Sequence, residues 1–218
     1  MANDSTATSH PKYHLHHFVD AEQQFDSAKM GMWVFLVTEI LFFGGLFAAY
    51  IVYRAWYPDL FTEASTELNT LLGTINTIVL IGSSLTVAMA IRAAQLNKTK
   101  QIAINLGITI LLACAFMVIK YFEWTHKFHL GIFPGEFYTY EGIAHPKASV
   151  FFSIYYLMTG LHGIHVIIGI GLMTWLLIKA LKGEFGSQYY TPVEITGLYW
   201  HLVDIIWIFL FPLFYLIE

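Results

Sequence analysis

The sequence predicts an all-α integral membrane protein, a bundle of five transmembrane helices. Three observations predict it. Only 12% of the 218 residues are charged, against about 25% in ordinary soluble domains. Hydrophobic residues make up 57%, and they gather into five long runs separated by polar, charge-bearing stretches. Aromatic residues reach 17% and collect near the ends of those runs, as expected of side chains at two lipid–water interfaces. A net charge of -4 with no basic run excludes a nucleic-acid partner. The single cysteine, Cys114, excludes an intrachain disulfide and a multi-thiolate metal site, and reads as a packed small residue.

Residues 1–29 are polar, carry four histidines and show no cleavable signal peptide, so they read as an N-terminal cytoplasmic arm. Within it, 13–29 (YHLHHFVDAEQQFDSAK) has the mixture of a short amphipathic helix lying on the membrane surface. His14, His16 and His17 gather there, but their spacing fits one face of no regular element. They read as a solvated or headgroup-facing cluster rather than a closed metal site.

The membrane domain is 30–218. Helix one, 30–54, reads MGMWVFLVTEILFFGGLFAAYIVYR. A hydrocarbon core of about 30 Å takes roughly 20 helical residues, so this run is long enough to span. Trp33 anchors one end, and Tyr50, Tyr53, Trp56 and Tyr57 anchor the other. The acidic stretch 55–67 reads as a solvent-facing loop. Helix two, 68–93, places Asn69, Gly73, Asn76 and Ser83 at helical period, facing protein rather than lipid. Helix three, 102–122, ends at an interfacial trio, Lys120, Glu123 and Trp124, with Lys120 snorkelling outward. The interval 125–147 is too polar and too interrupted by proline and glycine to span, and reads as an ordered extramembrane lid. Helix four, 149–178, exceeds the span and must tilt or project. Helix five is 193–217.

Five spans put the ends of the chain on opposite sides. Seven of the eleven Lys/Arg fall on the N-terminal side and four on the other, which orients the N-terminus to the cytoplasm and the C-terminus to the periplasm.

Four ionisable side chains fall deep in the apolar runs: Glu39, His162, His165 and Asp204; His201 is a shallower fifth. Glu39 lies nine residues after Met30, roughly 14 Å into its helix. A charge at that depth costs roughly 2.5–3.5 kcal/mol or more, so it needs a partner, a proton or a task. Met158, His162, His165 and Gly169 share one face of helix four, and Trp200, Asp204, Trp207 and Phe211 one face of helix five. These faces point into the bundle, where Glu39 can meet a histidine and Asp204 another donor. Two histidines three apart lack the third and fourth ligands that a haem or metal site requires, so structural or proton-handling roles fit better. Glu39 is either a neutral helix–helix hydrogen bond or a proton-exchanging group.

TEILFFGGLF around Glu39, FEW at 122–124, TGLHGIHVIIG at 159–169 and YWHLVDIIWIFLF at 199–211, in this order and at spanning distances, resemble subunit III of the haem–copper oxidases over nearly all of 30–216. The resemblance implies a non-catalytic membrane subunit beside subunit I of a cytochrome c oxidase in an aerobic respiratory chain. Haem and copper are then expected in partner subunits and none in this chain. Subunit II and membrane phospholipid are further partners. The family's helices form a V with a lipid-filled cleft proposed as an oxygen route, and lie near a proton-uptake entrance of subunit I. By resemblance, Glu39 pairs with His165, while His201, Asp204 and Trp207 are structural. Longer family members have seven helices and this chain matches the last five, so one arm of the V is missing. That short form points to a bacterial inner membrane. The alternatives are subunit III of a quinol oxidase, the subunit III-like partner of a nitric oxide reductase, a stand-alone proton-coupled transporter and a haem-binding membrane cytochrome.

Overall fold

The computed structural model describes residues 18–143 and 145–217. The cluster His14, His16 and His17 lies outside the described residues. Among them are six α-helices: α1 (Ala21–Trp56), α2 (Pro58–Ser65), α3 (Thr70–Gln95), α4 (Thr99–His129), α5 (Ala148–Leu181) and α6 (Thr191–Tyr215). All but α2 are long and apolar enough to cross a membrane. The fold is an all-α, multi-pass membrane bundle.

Several helix limits differ from those the hydrophobic runs suggest, and polar chemistry explains why. Helix α1 starts nine residues before position 30. Asp20 caps it, its carboxylate accepting from the Gln23 N–H at 2.7 Å while Gln23 Oε1 accepts from the Val19 N–H at 2.8 Å. The stretch expected to lie on the membrane surface is therefore, from Ala21 on, one continuous helix with the first span. Asn69, expected to face protein within a span, instead caps α3 by accepting from the Leu72 N–H at 3.0 Å. Helix α4 runs seven residues beyond Phe122, because the charges that seemed to end it are paired inside the protein. Helix α5, at 34 residues, is about 51 Å long.

Helices α3, α4, α5 and α6 pack in a ring, each against two neighbours. Helix α1 lies at the edge, mainly on α6 and more lightly on α5. It is held by Leu36, Phe43 and Tyr50, which are buried, while Trp33, Val34, Ile40 and Leu41 are exposed. The Tyr50 hydroxyl donates to the Leu213 carbonyl, and Lys29 pairs with Glu194 at 2.9 Å, so both ends of α1 are tied to α6. Cys114 is exposed on the outer face of α4, not packed as the sequence suggested; an apolar environment of lipid suits a small thiol equally well. Only Leu96, Asn97 and Lys98 separate α3 from α4, and Asn97 takes the left-handed conformation (φ 59°) that so tight a reversal requires.

The stretch 55–67 is not a solvent-facing loop. It contains α2, whose Leu60, Phe61, Ala64 and Ser65 are buried, and Phe61 meets Tyr50 and Phe151 edge to face at 5.3 and 5.1 Å. The acids Asp59 and Glu63 stay on its exposed side. The segment between α4 and α5 folds over the same end of the bundle. Tyr140 donates to Glu67 at 3.0 Å, Lys147 to the Tyr57 hydroxyl at 2.7 Å and Tyr156 to the Ile132 carbonyl at 2.8 Å. The bond to Glu67 raises the Tyr140 pKa, and burial pushes Tyr138 up to about 12, so both phenols stay neutral.

Close helix approach depends on glycine at two places. A Cβ on Gly169 of α5 would collide with the Trp200 ring of α6, and one on Gly73 of α3 would come within 2.8 Å of Phe211 and 2.9 Å of Tyr215. Rigid rings cannot swing aside as a flexible chain would. Gly169→Val is expected to destabilise the bundle by about 1–3 kcal/mol, seen as a lower thermal unfolding midpoint in detergent; an unchanged midpoint would show that the α5–α6 seam has slack.

Candidate functional site

Three groups of polar side chains stand at helix seams around the acids of the spans. The first joins α1 to α5. Glu39 projects from the middle of α1, and His165 Nε2 lies 3.0 Å from Glu39 Oε2. The other ring nitrogen, Nδ1, lies 2.8 Å from the Leu161 carbonyl one turn back. A carbonyl only accepts, so Nδ1 carries hydrogen and Nε2 faces the carboxyl. A hydrogen on either Nε2 or the carboxyl completes the contact. Phe43 packs edge-on against the imidazole at 5.2 Å. The side chains are 17% and 15% exposed, so this pair lies near the bundle surface and not in its core.

His162 does not join that pair. Three residues apart on a helix leaves the two side chains only about 60° apart, yet they enter different seams, His165 toward α1 and His162 toward α6. His162 is fully buried among α4, α5 and α6, with Nε2 donating to the Val203 carbonyl at 3.1 Å. Its ring packs on Phe116 and Trp207 at 5.6 and 5.3 Å. The expected common face is thus split between two environments. Among the described residues no group of three His, Cys, Asp or Glu side chains is arranged to hold a metal ion.

The second group lies on the α3–α6 seam. Asp204 is buried, and neither of its oxygens has a hydrogen-bond partner. One turn before it on α6, His201 Nδ1 is bonded to the Ser84 hydroxyl of α3 at 2.6 Å. Trp200 Nε1 donates to Ser83 at 3.0 Å and Trp207 Nε1 to Thr77 at 3.1 Å, so two indoles and two hydroxyls stitch the rest of the seam.

The third group was misread in the sequence. Glu123 and Lys120 are not interfacial anchors: they are 3% and 7% exposed, and Lys127 is 3% exposed. Glu123 Oε1 accepts from Tyr215 at 2.6 Å, Tyr155 at 2.9 Å and Lys127 at 3.1 Å, and Oε2 from Lys120 at 2.9 Å. Lys120 also reaches the Tyr215 hydroxyl at 2.8 Å and sits 4.9 Å from the Trp207 ring. This network bolts α4, α5 and α6 together at the end covered by α2. Its signal was present in the spacing, since 120, 123 and 127 follow i, i+3, i+7 and share a helix face. Trp124 is only partly exposed and packs edge-on against Tyr156 at 5.2 Å, whereas Trp33 does face outward.

Between α4 and α5 the outer surface carries an apolar groove of about 680 Å³, lined by Phe116, Met117, Trp124, Gly163 and Ile167 among others.

The cytochrome c oxidase subunit III family description matches residues 9–218. The chain belongs to that family. Cytochrome c oxidase subunit 3 of Thermostichus vulcanus is 32% identical over 204 residues, covering 91% of each chain. Quinol oxidase subunit 3 of Bacillus subtilis is 32% identical over 192 residues, 86% of this chain and 85% of the relative. Heme-copper oxidase subunit I+III of Aeropyrum pernix is 31% identical over 203 residues, 88% of this chain but 23% of that longer protein.

For this subunit III-family chain the Glu123 network is the interaction whose loss costs most. Breaking a buried ion pair from one side leaves unneutralised charge and costs about 3–5 kcal/mol. Glu123→Ala strands two ammonium groups and is expected to fall in that range. Lys120→Met should cost less, because Lys127 still pairs with the carboxylate. Thermal unfolding of the two variants in detergent checks the order; equal midpoints would show that the network carries no such charge.

Proposed function

We propose that the chain is subunit III of a bacterial haem–copper terminal oxidase of the cytochrome c oxidase kind, in aerobic respiratory electron transport. It packs against subunit I, with subunit II in the same assembly, and stabilises subunit I while the partner subunits carry the haem and copper. The observation that carries this reading is the family match along the whole membrane region. The fused relative named subunit I+III supports a subunit I neighbour, since fusion keeps two partners together. A quinol oxidase is the second reading, favoured by the Bacillus subtilis relative at an identity equal to that of the Thermostichus vulcanus relative.

The geometry suits a supporting role near proton and oxygen traffic. The Glu39–His165 pair is polar, close to the surface and able to hold a proton at mid-helix. The α4–α5 groove has the apolar lining that a phospholipid acyl chain fills. The Lys/Arg distribution orients the start of α1 to the cytoplasm and the cap built from α2 and 130–147 to the periplasm.

Purification through this chain in mild detergent is expected to bring down a larger haem-containing membrane subunit with oxygen reductase activity. A colourless chain emerging alone would overturn the reading and favour a stand-alone transporter. Glu39→Gln keeps size and a hydrogen bond to His165, so the complex is expected to assemble with subunit I in full amount. Loss of subunit I from the purified variant would mean that the proton or charge of Glu39 is needed for docking.

A further inference from the structure

The α3–α6 seam holds a carboxyl that the support of a neighbouring subunit does not use. Asp204 is 2% exposed, and neither oxygen is bonded. The buried ionisable side chains on the elements around it are bonded elsewhere, His162 through Nε2 alone, its Nδ1 having no partner. On α5, His162 donates to the Val203 carbonyl and His165 faces Glu39 of α1. On α4, Lys120 is held by Glu123, Tyr155 and Tyr215. On α3, the only ionisable side chain is Arg92, near the far end and bonded to Gln95. On α6 itself, His201 is bonded to Ser84. Among the described residues no cation is bonded to Asp204, and a bare carboxylate without a cation is the form that a membrane interior least tolerates.

The neighbours do offer a path for a proton. His201 lies one helical turn before Asp204 on α6, and its Nδ1 is 2.6 Å from the Ser84 hydroxyl of α3, which sets Ser84 on the same seam as the carboxyl. Both Ser84 and His201 are partly exposed at the edge of the seam, whereas Asp204 is not. A hydroxyl accepts and donates at once, so it can pass a proton between the acid and the ring.

We propose that Asp204 is a buried proton-binding site, loaded and emptied through Ser84 and His201 at the open edge of the α3–α6 seam. In the loaded state Asp204 is the neutral acid. On release, rotation of the carboxyl brings its O–H to Ser84 Oγ. The Asp204 O–H bond breaks as a Ser84 O–H forms; the original Ser84 O–H breaks as an N–H forms at His201 Nδ1. This leaves a carboxylate and an imidazolium, which then sheds its Nε2 proton at the edge of the seam. Reloading reverses each step.

The test is infrared spectroscopy of the purified complex, transferred from H₂O to D₂O. The wild type is expected to show a protonated-carboxyl carbonyl band that is absent in Asp204→Asn. Ser84→Ala should retain the band but slow its deuterium shift by about tenfold or more, as expected on removing one proton-transfer group. If Asp204→Asn fails to assemble, Asp204→Glu keeps the acid and must move the band. A spectrum unchanged by the Asp204 variant overturns the site. A deuterium shift as fast in Ser84→Ala as in the wild type overturns the route.

Discussion

Inside a bilayer a carboxylate has to meet either a cation or a proton, and the three acids at the helix seams, Glu123, Glu39 and Asp204, meet that demand in three ways. Glu123 takes two lysines and two phenols. Glu39 shares a proton with one imidazole. Asp204 has no bonded partner at all, and a proton is what answers its charge. Each solution occupies a seam between helices, because side chains on the lipid-facing sides have no partner to offer. Helix order in the bundle is thereby tied to charge. Helices α4, α5 and α6 must meet at Glu123, α1 must lie where Glu39 can reach α5, and α3 must bring its serines to α6.

Apolar packing alone would not choose that order. Apolar side chains gain little by leaving lipid for protein, so helix association in a membrane rests on fit and on polar contacts. The fit comes from ring-filled seams. Trp200 lies on Gly169, and Phe211 and Tyr215 lie on Gly73. The polar contacts come from indoles and hydroxyls, as in Trp200 with Ser83 and Trp207 with Thr77. Trp207 connects two of these seams, since it donates to Thr77 of α3 and faces the Lys120 ammonium of the Glu123 network.

Five spans, the buried faces of α5 and α6 and the Glu39–His165 pair were all legible in the sequence. They rest on run length, helical period and motif, which survive without coordinates. The helix ends were less legible. Hydropathy sees Lys120, Glu123 and Lys127 as the end of a span, but mutual neutralisation lets α4 continue past them. The same blindness hid α2, whose acids mark it as a loop while its Leu60 and Phe61 drive it into the bundle. The divergence of His162 from His165 depends on which neighbours flank α5. A helical wheel places both side chains on one side but does not show that α1 takes one and α6 the other.

The three-residue reversal between α3 and α4 bears on how the chain enters a membrane. A connection so short cannot leave one of the two helices outside the bilayer while the other spans it. So short a connection suits insertion of the pair as a single hairpin, with Lys98 and Lys100 at its tip. Thr86 and Thr109, already 2.7 Å apart across that hairpin, give the two helices a polar contact before α5 and α6 are made. Bundle assembly then proceeds from a preformed half, and the seam around Asp204 closes only when the last helix leaves the ribosome.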